Sequence, residues 1–245
     1  MVEQTVEIKT ADGVTEGFLY KPDSGKAPGV IHLTDIRGIR PSQRQMARQL
    51  AEKGYTVLLP NVFYRNAKPP VFDFDFVLGD PRTMKRIGEL AGPLTPDAQE
   101  RDAAAYVDFL AAQDSVSPGA MAVVGYCITG QLAVRAAAVR PGKVVAAASF
   151  HGGWLYTDAP TSPHHALPRV KAQLYFGHAI EDASMPAEAI KKLESALAAW
   201  GGKYASETYE GSHHGWTVPD TAAYNPPTAE RAFGKLTGLL SATLK

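Results

Sequence analysis

Apolar positions in this chain fall into short runs separated by amphipathic stretches, and the alternation predicts strands and helices in turn. Residues 6–8 and 18–20 flank Asp12-Gly13, a turn pair, which predicts an opening antiparallel hairpin. Residues 29–33 form an apolar run of the kind buried in a sheet. Pro41 then opens a segment reaching Lys53, with Met46 and Leu50 at helical spacing and Gly54 placed to cap its end. Residues 55–59 read as the next strand, stopped by Pro60. Strand, helix, strand implies parallel pairing through a right-handed crossover.

Residues 61–95 are less regular. They contain Pro69-Pro70, the alternating run from Phe72 to Phe76 and Gly92-Pro93, and predict a surface excursion with a short helix near 83–90. The Phe/Asp alternation also fits an edge strand, or a lid over a pocket. Ala104, Val107 and Leu110 mark a helix over 96–113. Strand 121–125 and helix 130–140 follow, then strands at 144–150 and 173–176. A helix over 186–200 ends at Gly201-Gly202, a last strand covers 203–209, and an amphipathic helix closes the chain over 228–244, with Phe233, Leu236, Leu239 and Leu240 on one face. No repeat, low-complexity tract or linker interrupts this order. The expected fold is a single α/β domain over residues 1–245, a mostly parallel sheet with helices on both faces.

Composition narrows the function without naming it. Lys+Arg and Asp+Glu balance at 25 each, which argues against a nucleic-acid partner. The N-terminus is polar and alternating rather than a signal peptide, and no apolar run suits a membrane span. A lone cysteine cannot form an internal disulfide, so a cytoplasmic placement is the simplest expectation. Oligomeric state is left open.

The chemistry lies in the loops after the predicted parallel strands, where function gathers in sheets of this kind. Residues 34–38 follow the strand at 29–33. Cys127 follows 121–125, in Gly125-Tyr126-Cys127-Ile128-Thr129-Gly130, which has the form of a nucleophile elbow: strand, sharp turn carrying the reactive atom, helix. His151 to Trp154 follow the next strand, Glu181 and Asp182 the next, and His213 and His214 the last. A buried filler role is the bland reading of a lone cysteine, but a helix N-terminus is a setting that makes a thiol reactive. A thiol needs a base, and the base an orienting acid. The order Cys127, Asp182, His214 is the nucleophile–acid–base order of α/β-hydrolases.

At these residues the chain resembles the dienelactone hydrolase family. The resemblance rests on Gly125-Tyr126-Cys127, on Asp182 four residues before Pro186, on the segment from Tyr209 to Trp216, on Ala229-Glu230-Arg231-Ala232, and on Asp35-Ile36-Arg37-Gly38. It implies an α/β-hydrolase fold, Cys127 as nucleophile, Asp182 as orienting acid, His214 as base, and the backbone N–H groups of Ile36 and Ile128 as an oxyanion hole. It also implies small ester or lactone substrates and no cofactor. Two positions depart from the pattern: Thr129 stands where glycine is usual, and Asp35 where the family has a glutamate that contacts the resting thiol.

Around this core stand lesser candidates. Glu181 competes with Asp182, and His213 with His214; the spacings to Pro186 and Tyr209 favour Asp182 and His214. Tyr126, His151 and Trp154 are candidates for lining the pocket, against simple packing. Arg37, Arg82 and Arg86 are candidates for holding a substrate carboxylate, with a solvated surface role the stronger reading for the last two. His32 fits a hydrogen bond to a neighbour, and His178, His164 and His165 carry no clear role. No metal-ligand spacing is present, so no metal is expected. The expected activity is lactone or ester hydrolysis through a thioester. A broader carboxylesterase or thioesterase without dienelactone activity, or a non-catalytic binding member of the fold, are its rivals.

Overall fold

The computed structural model describes residues 1–244. A hairpin of β1 (Val2–Thr10) and β2 (Gly13–Lys21) opens the chain. Thr10 pairs with Gly13, so the turn residues are Ala11 and Asp12 rather than Asp12 and Gly13, and Gly13 supplies a positive φ that side-chain-bearing residues avoid. β3 (Ala27–Leu33), α1 (Pro41–Glu52) and β4 (Thr56–Pro60) make the first crossover unit. α2 (Pro81–Ala91) contains the predicted short helix and is capped by the Asp80 carboxylate, which accepts from the Thr83 N–H at 3.0 Å. α3 (Pro96–Ala111), β5 (Val116–Tyr126), α4 (Gly130–Val139), β6 (Val144–Phe150), β7 (Gln173–His178), α5 (Ala187–Trp200), β8 (Tyr204–Thr208) and α6 (Pro226–Thr243) complete the order.

The eight strands form one sheet in the order β1-β2-β4-β3-β5-β6-β7-β8. Pairing is antiparallel from β1 through β2 to β4 and parallel from there to β8. Successive side chains along a strand point to opposite faces, and the strands sort accordingly. Ile31, Leu33, Val123 and Ala147 face one layer, with Leu110 of α3, Ala133 and Ala137 of α4, and Leu193 of α5. Val30, Val57, Val124 and Ala148 face the other, with Leu50 of α1 and Leu236 and Leu240 of α6. Both faces are covered, which is why the central strands are apolar throughout.

β5 begins at Val116, earlier than the apolar run suggests, because Val116 already pairs with Ala27 across a register shift. The run from Phe72 to Phe76 forms no strand. Its alternation survives as packing: the aspartates are exposed, while Phe72 packs edge-on against Phe74 and Phe76 at 5.6 and 5.1 Å.

Strand order decides where the site lies. From β3 the chain moves one way to β4, and β5 takes the other side, so β3 and β5 diverge at a topological switch point. In open α/β sheets the ligand crevice lies at such a point, between the loops beyond the carboxyl ends of the strands. Residues 34–38 follow β3 there, and Cys127 follows β5.

Candidate active site

Cys127 adopts φ of 58°, in the left-handed region that an L-residue enters only when its surroundings impose it. The imposing contacts are close approaches at the two flanking glycines. A Cβ on Gly125 would sit 2.3 Å from the Thr129 carbonyl oxygen, and one on Gly130 would sit 2.2 Å from Ser149 Oγ and 3.0 Å from Gly152 Cα. Both glycines are therefore required for the turn to close. A single 3-10 turn over Cys127–Thr129 leads into α4, leaving the cysteine at the head of the helix and partly exposed.

Thr129, the residue in place of glycine, fastens this turn. Its Oγ1 accepts from the Tyr126 N–H at 3.0 Å, and its own O–H is shared between the Tyr126 and Leu33 carbonyls at 3.0 and 3.1 Å. The last of these bonds pins the elbow to the end of β3. Close approach falls on Gly130 instead, so a buried β-branched residue fits at 129. Thr129→Val removes the hydroxyl at nearly constant shape and strands the buried Tyr126 N–H, so it is expected to cost about 1–3 kcal/mol. Thermal denaturation should show a fall of about 2–4 °C for each kcal/mol. Thr129→Gly loses the same bonds and gains unfolded-chain entropy, so it should be no more stable than Thr129→Val.

Asp182 and His214, assigned from the sequence as acid and base, lie in the loops after β7 and β8. Asp182 is 6 % exposed. Its Oδ1 accepts from the Ser184 N–H at 2.9 Å and the Ser184 hydroxyl at 2.7 Å, and its Oδ2 lies 2.6 Å from His214 Nδ1. Burial alone would raise the Asp182 carboxyl. The His214 bond and charge, with Ser184, overcome it and hold the carboxyl at about 2. With Nδ1 engaged, the other imidazole nitrogen is left for the thiol. Burial alone would push the His214 proton off, but the charge and hydrogen bond of Cys127, together with Asp182, raise it to about 10. Glu181 and His213, the sequence competitors, are exposed and lie 3.8 Å from each other, away from this pair.

His151 is buried edge-on against His214, at 5.1 Å between ring centroids, and against Trp216 at 5.2 Å. Its Nε2 meets the Thr217 hydroxyl at 2.8 Å. Burial and the neighbouring His214 charge hold it well below an ordinary histidine, so it stays neutral and forms a floor under the base. The Tyr126 ring stacks on Phe150 at 5.7 Å and is buried with the layer that holds α1 and α6. Trp154 is the exposed member of the group, at 48 %. The Gly153 N–H before it donates to the Cys127 carbonyl at 3.3 Å, and its own N–H to the Ser184 carbonyl at 2.8 Å. This loop thus joins the elbow to the acid loop. The four non-glycine residues with positive φ, Cys127, His151, Trp154 and Glu181, all lie in loops following β5, β6 and β7. Strain of about 1–3 kcal/mol at each is typical of functional sites.

Asp35 is committed elsewhere than to the thiol. Its two oxygens accept from the Arg40 guanidinium at 2.7 Å each, from the Arg37 N–H at 2.9 Å and from Gln43 at 3.3 Å. Ile36 and Ile128, the two sequence-assigned oxyanion donors, flank the crevice and pack partly against the core. Arg37 donates to the Asp220 carbonyl at 3.0 Å and lies 5.3 Å over the Phe76 ring, tying the Phe72–Phe76 segment to the crevice wall. Arg86 anchors that segment through the Val71 carbonyl at 2.9 Å. Arg82 lies exposed 3.9 Å over Phe74. His32 bonds Gln43 at 2.8 Å and His178 bonds Ser206 at 3.2 Å. Among the described residues, no group of three His, Cys, Asp or Glu side chains is placed to hold a metal, and no helix is long and apolar enough to cross a membrane.

Sequence reasoning passed over Arg40, Asp220, Ser184 and Thr217. Arg40 had a partial signal. A cation at a helix N-terminus opposes the helix dipole, so an arginine immediately before Pro41 is unfavourable without acidic partners.

A strand-to-helix elbow at the switch point of a mostly parallel sheet, with an acid and a histidine on the following loops, defines an α/β-hydrolase. A solved structure from Klebsiella pneumoniae subsp. pneumoniae MGH 78578 has this fold at a TM-score of 0.86 and 19% identity, with 98% of each chain covered. Residues 15–244 match the family model "Dienelactone hydrolase family", and the chain belongs to that family of hydrolases. It is 30% identical to the carboxymethylenebutenolidase of Rhodococcus opacus over 84% of this chain and 77% of that one. The dienelactone hydrolase-like promiscuous phosphotriesterase P91, from metagenomic libraries, superposes at a TM-score of 0.81 with 20% identity, covering 100% of both chains.

Proposed function

We propose that the protein hydrolyses small lactones or esters through a covalent thioester on Cys127. The observation that carries this reading is the arrangement of a strained elbow cysteine against an imidazole whose Nδ1 lies 2.6 Å from a buried carboxylate. His214, raised to about 10 with the Cys127 sulfur and Asp182 as partners, carries its proton at neutral pH, and the attacking form of a cysteine is its thiolate. The thiolate attacks the substrate carbonyl, and the oxygen charge that develops is met by the Ile36 and Ile128 amides. Each such donor is typically worth about 3 kcal/mol in the transition state. The intermediate collapses by expelling the ring or ester oxygen, which takes the imidazolium proton. Neutral His214 then draws a proton from water, the hydroxide adds to the thioester, and the acid leaves as the thiolate and imidazolium are restored.

A thiol adduct expels the better leaving group, and thiolate leaves more readily than an alkoxide. Enol lactones and aryl esters, whose oxygens leave easily, therefore suit this nucleophile, and simple alkyl esters suit it poorly. Rapid quenching during turnover of an aryl ester, followed by mass spectrometry, is expected to find the acyl mass on the peptide carrying Cys127. Acyl groups absent from that peptide under rapid turnover would end the thioester reading. Rates on a panel of enol lactones against p-nitrophenyl esters separate a lactonase from a broader carboxylesterase.

A further inference from the structure

Arg40 occupies the position before α1 with extended backbone and without capping the helix through its side chain. Its guanidinium is nonetheless nearly buried, 10 % exposed. All five of its N–H groups are used. Nη1 donates to Asp35 Oδ1 at 2.7 Å and to the Gly38 carbonyl at 3.1 Å. Nη2 donates to Asp35 Oδ2 at 2.7 Å and to Asp220 Oδ1 at 3.0 Å, and Nε to Asp220 Oδ2 at 2.8 Å. One planar group thus makes two-point contacts with two carboxylates, which the fork geometry of arginine permits and the single point charge of lysine does not.

The two carboxylates belong to two separate loops on the active rim, those following β3 and β8. Asp35 directly precedes Ile36, whose N–H is assigned to the oxyanion. Asp220 lies a few residues beyond His214, on the loop that also supplies Thr217 to the floor under the base. Arg37 grips the same loop through the Asp220 carbonyl. Nothing in the backbone joins these segments, which lie far apart in sequence and follow β3 and β8, strands that are not neighbours in the sheet.

We propose that Arg40 is a positioning residue whose guanidinium bridges Asp35 and Asp220, setting the Ile36 amide and His214 at a fixed separation across the crevice. Its effect on turnover rests on the ester-hydrolase reading; the mechanical tie between the loops does not. The bridge also engages both Asp35 oxygens, turning that carboxylate to Arg40 rather than to Cys127.

The test uses full-length Arg40→Gln, Arg40→Lys, Arg40→Ala and Asp220→Asn proteins and the Arg40→Gln/Asp220→Asn double variant, an activated aryl ester, iodoacetamide labelling of Cys127, and amide hydrogen exchange. Arg40→Gln is expected to lower kcat about 100-fold, the scale of a misplaced catalytic group, with KM changed by less than about 3-fold. Labelling of Cys127 should keep its wild-type rate and pH profile, because the thiol–imidazole pair survives. Arg40→Lys should show the same loss, and millimolar guanidinium should restore part of the rate in Arg40→Ala. Exchange should quicken together in 34–38 and 214–220. Asp220→Asn should loosen 34–38 as well, with the double variant no worse than Arg40→Gln alone. The proposal is overturned if Arg40→Gln keeps kcat within about 3-fold, if lysine serves as well as arginine, if only one loop loosens, or if the labelling rate falls in step with kcat. A wild-type protein that turns over no ester defeats the hydrolase reading while leaving the exchange result to decide the bridge.

Discussion

Cys127→Ala is expected to lower kcat/KM for aryl esters by at least about 10⁴-fold, leaving only what the oxyanion amides and substrate binding supply. The fold should persist. Residue 127 already stands at φ of 58°, so alanine inherits the strain of the elbow rather than adding to it. Residue 127 is partly exposed, so little packing is lost. A melting temperature close to wild type alongside lost turnover is therefore the expected pair of results. A third readout follows from the electrostatics. The Cys127 sulfur raises His214 against the opposing effect of burial. Without it, the imidazole should titrate at lower pH, which NMR of the ring protons can follow. Full turnover by Cys127→Ala would remove the cysteine from the chemistry altogether.

Asp182→Asn should fall nearly as far, by about 10³–10⁴-fold in kcat, because an amide neither fixes the required tautomer nor supports an imidazolium. Its pH dependence is the sharper measurement. In the wild type the folded value of His214 is raised from 6.5 to about 10, so its proton is present through neutral pH and lost as pH rises through about 10. Substrates with poor leaving groups need that proton and should lose rate on this limb, while p-nitrophenyl esters should resist it. Removing the Asp182 carboxylate withdraws one cause of the upward push, so the limb should move to lower pH. The same shifts bear on stability. Asp182, lowered from 3.8 to about 2, stabilises the fold above 3.8, and the contribution is lost as pH falls through about 2. His214 contributes fully below 6.5 and progressively less as pH rises through about 10. The pair therefore supports the fold most strongly from about pH 4 to 6.5. A limb in Asp182→Asn that coincides with the wild type would show that the carboxylate does not govern the base.

Much of this arrangement could be read before any coordinates. The helices announced themselves where polar and apolar positions alternate at helical spacing and a proline or glycine marks the end, as from Pro41 to Gly54. β6 was legible to the residue, because a run from Val144 to Phe150 that is apolar but for Ser149 stands between Lys143 and His151-Gly152. The segment from Phe72 to Phe76 was ambiguous for a physical reason. Period-two alternation reports which side chains are buried, and a non-strand segment with its rings packed inward has the same signature as an edge strand. Thr129 was misleading in a similar way. A missing glycine suggests crowding, but its hydroxyl bonds and the shift of close approach to Gly130 depend on where the Leu33 carbonyl lies, a contact between distant parts of the chain.

Local order, residue type and spacing thus settled the elements, their alternation, and the rim on which a thiol, an acid and a histidine would stand, because these follow from short-range sterics and from the period of burial. Folding in three dimensions settled the rest. The strand order placed the crevice between β3 and β5. The packing of loops against one another set His214, after β8, against Asp182, after the neighbouring β7, and left Glu181 and His213 in solvent. It also turned Asp35 toward Arg40 and Asp220. Pairings of this kind depend on distance and desolvation between segments remote in sequence, quantities that no local pattern encodes.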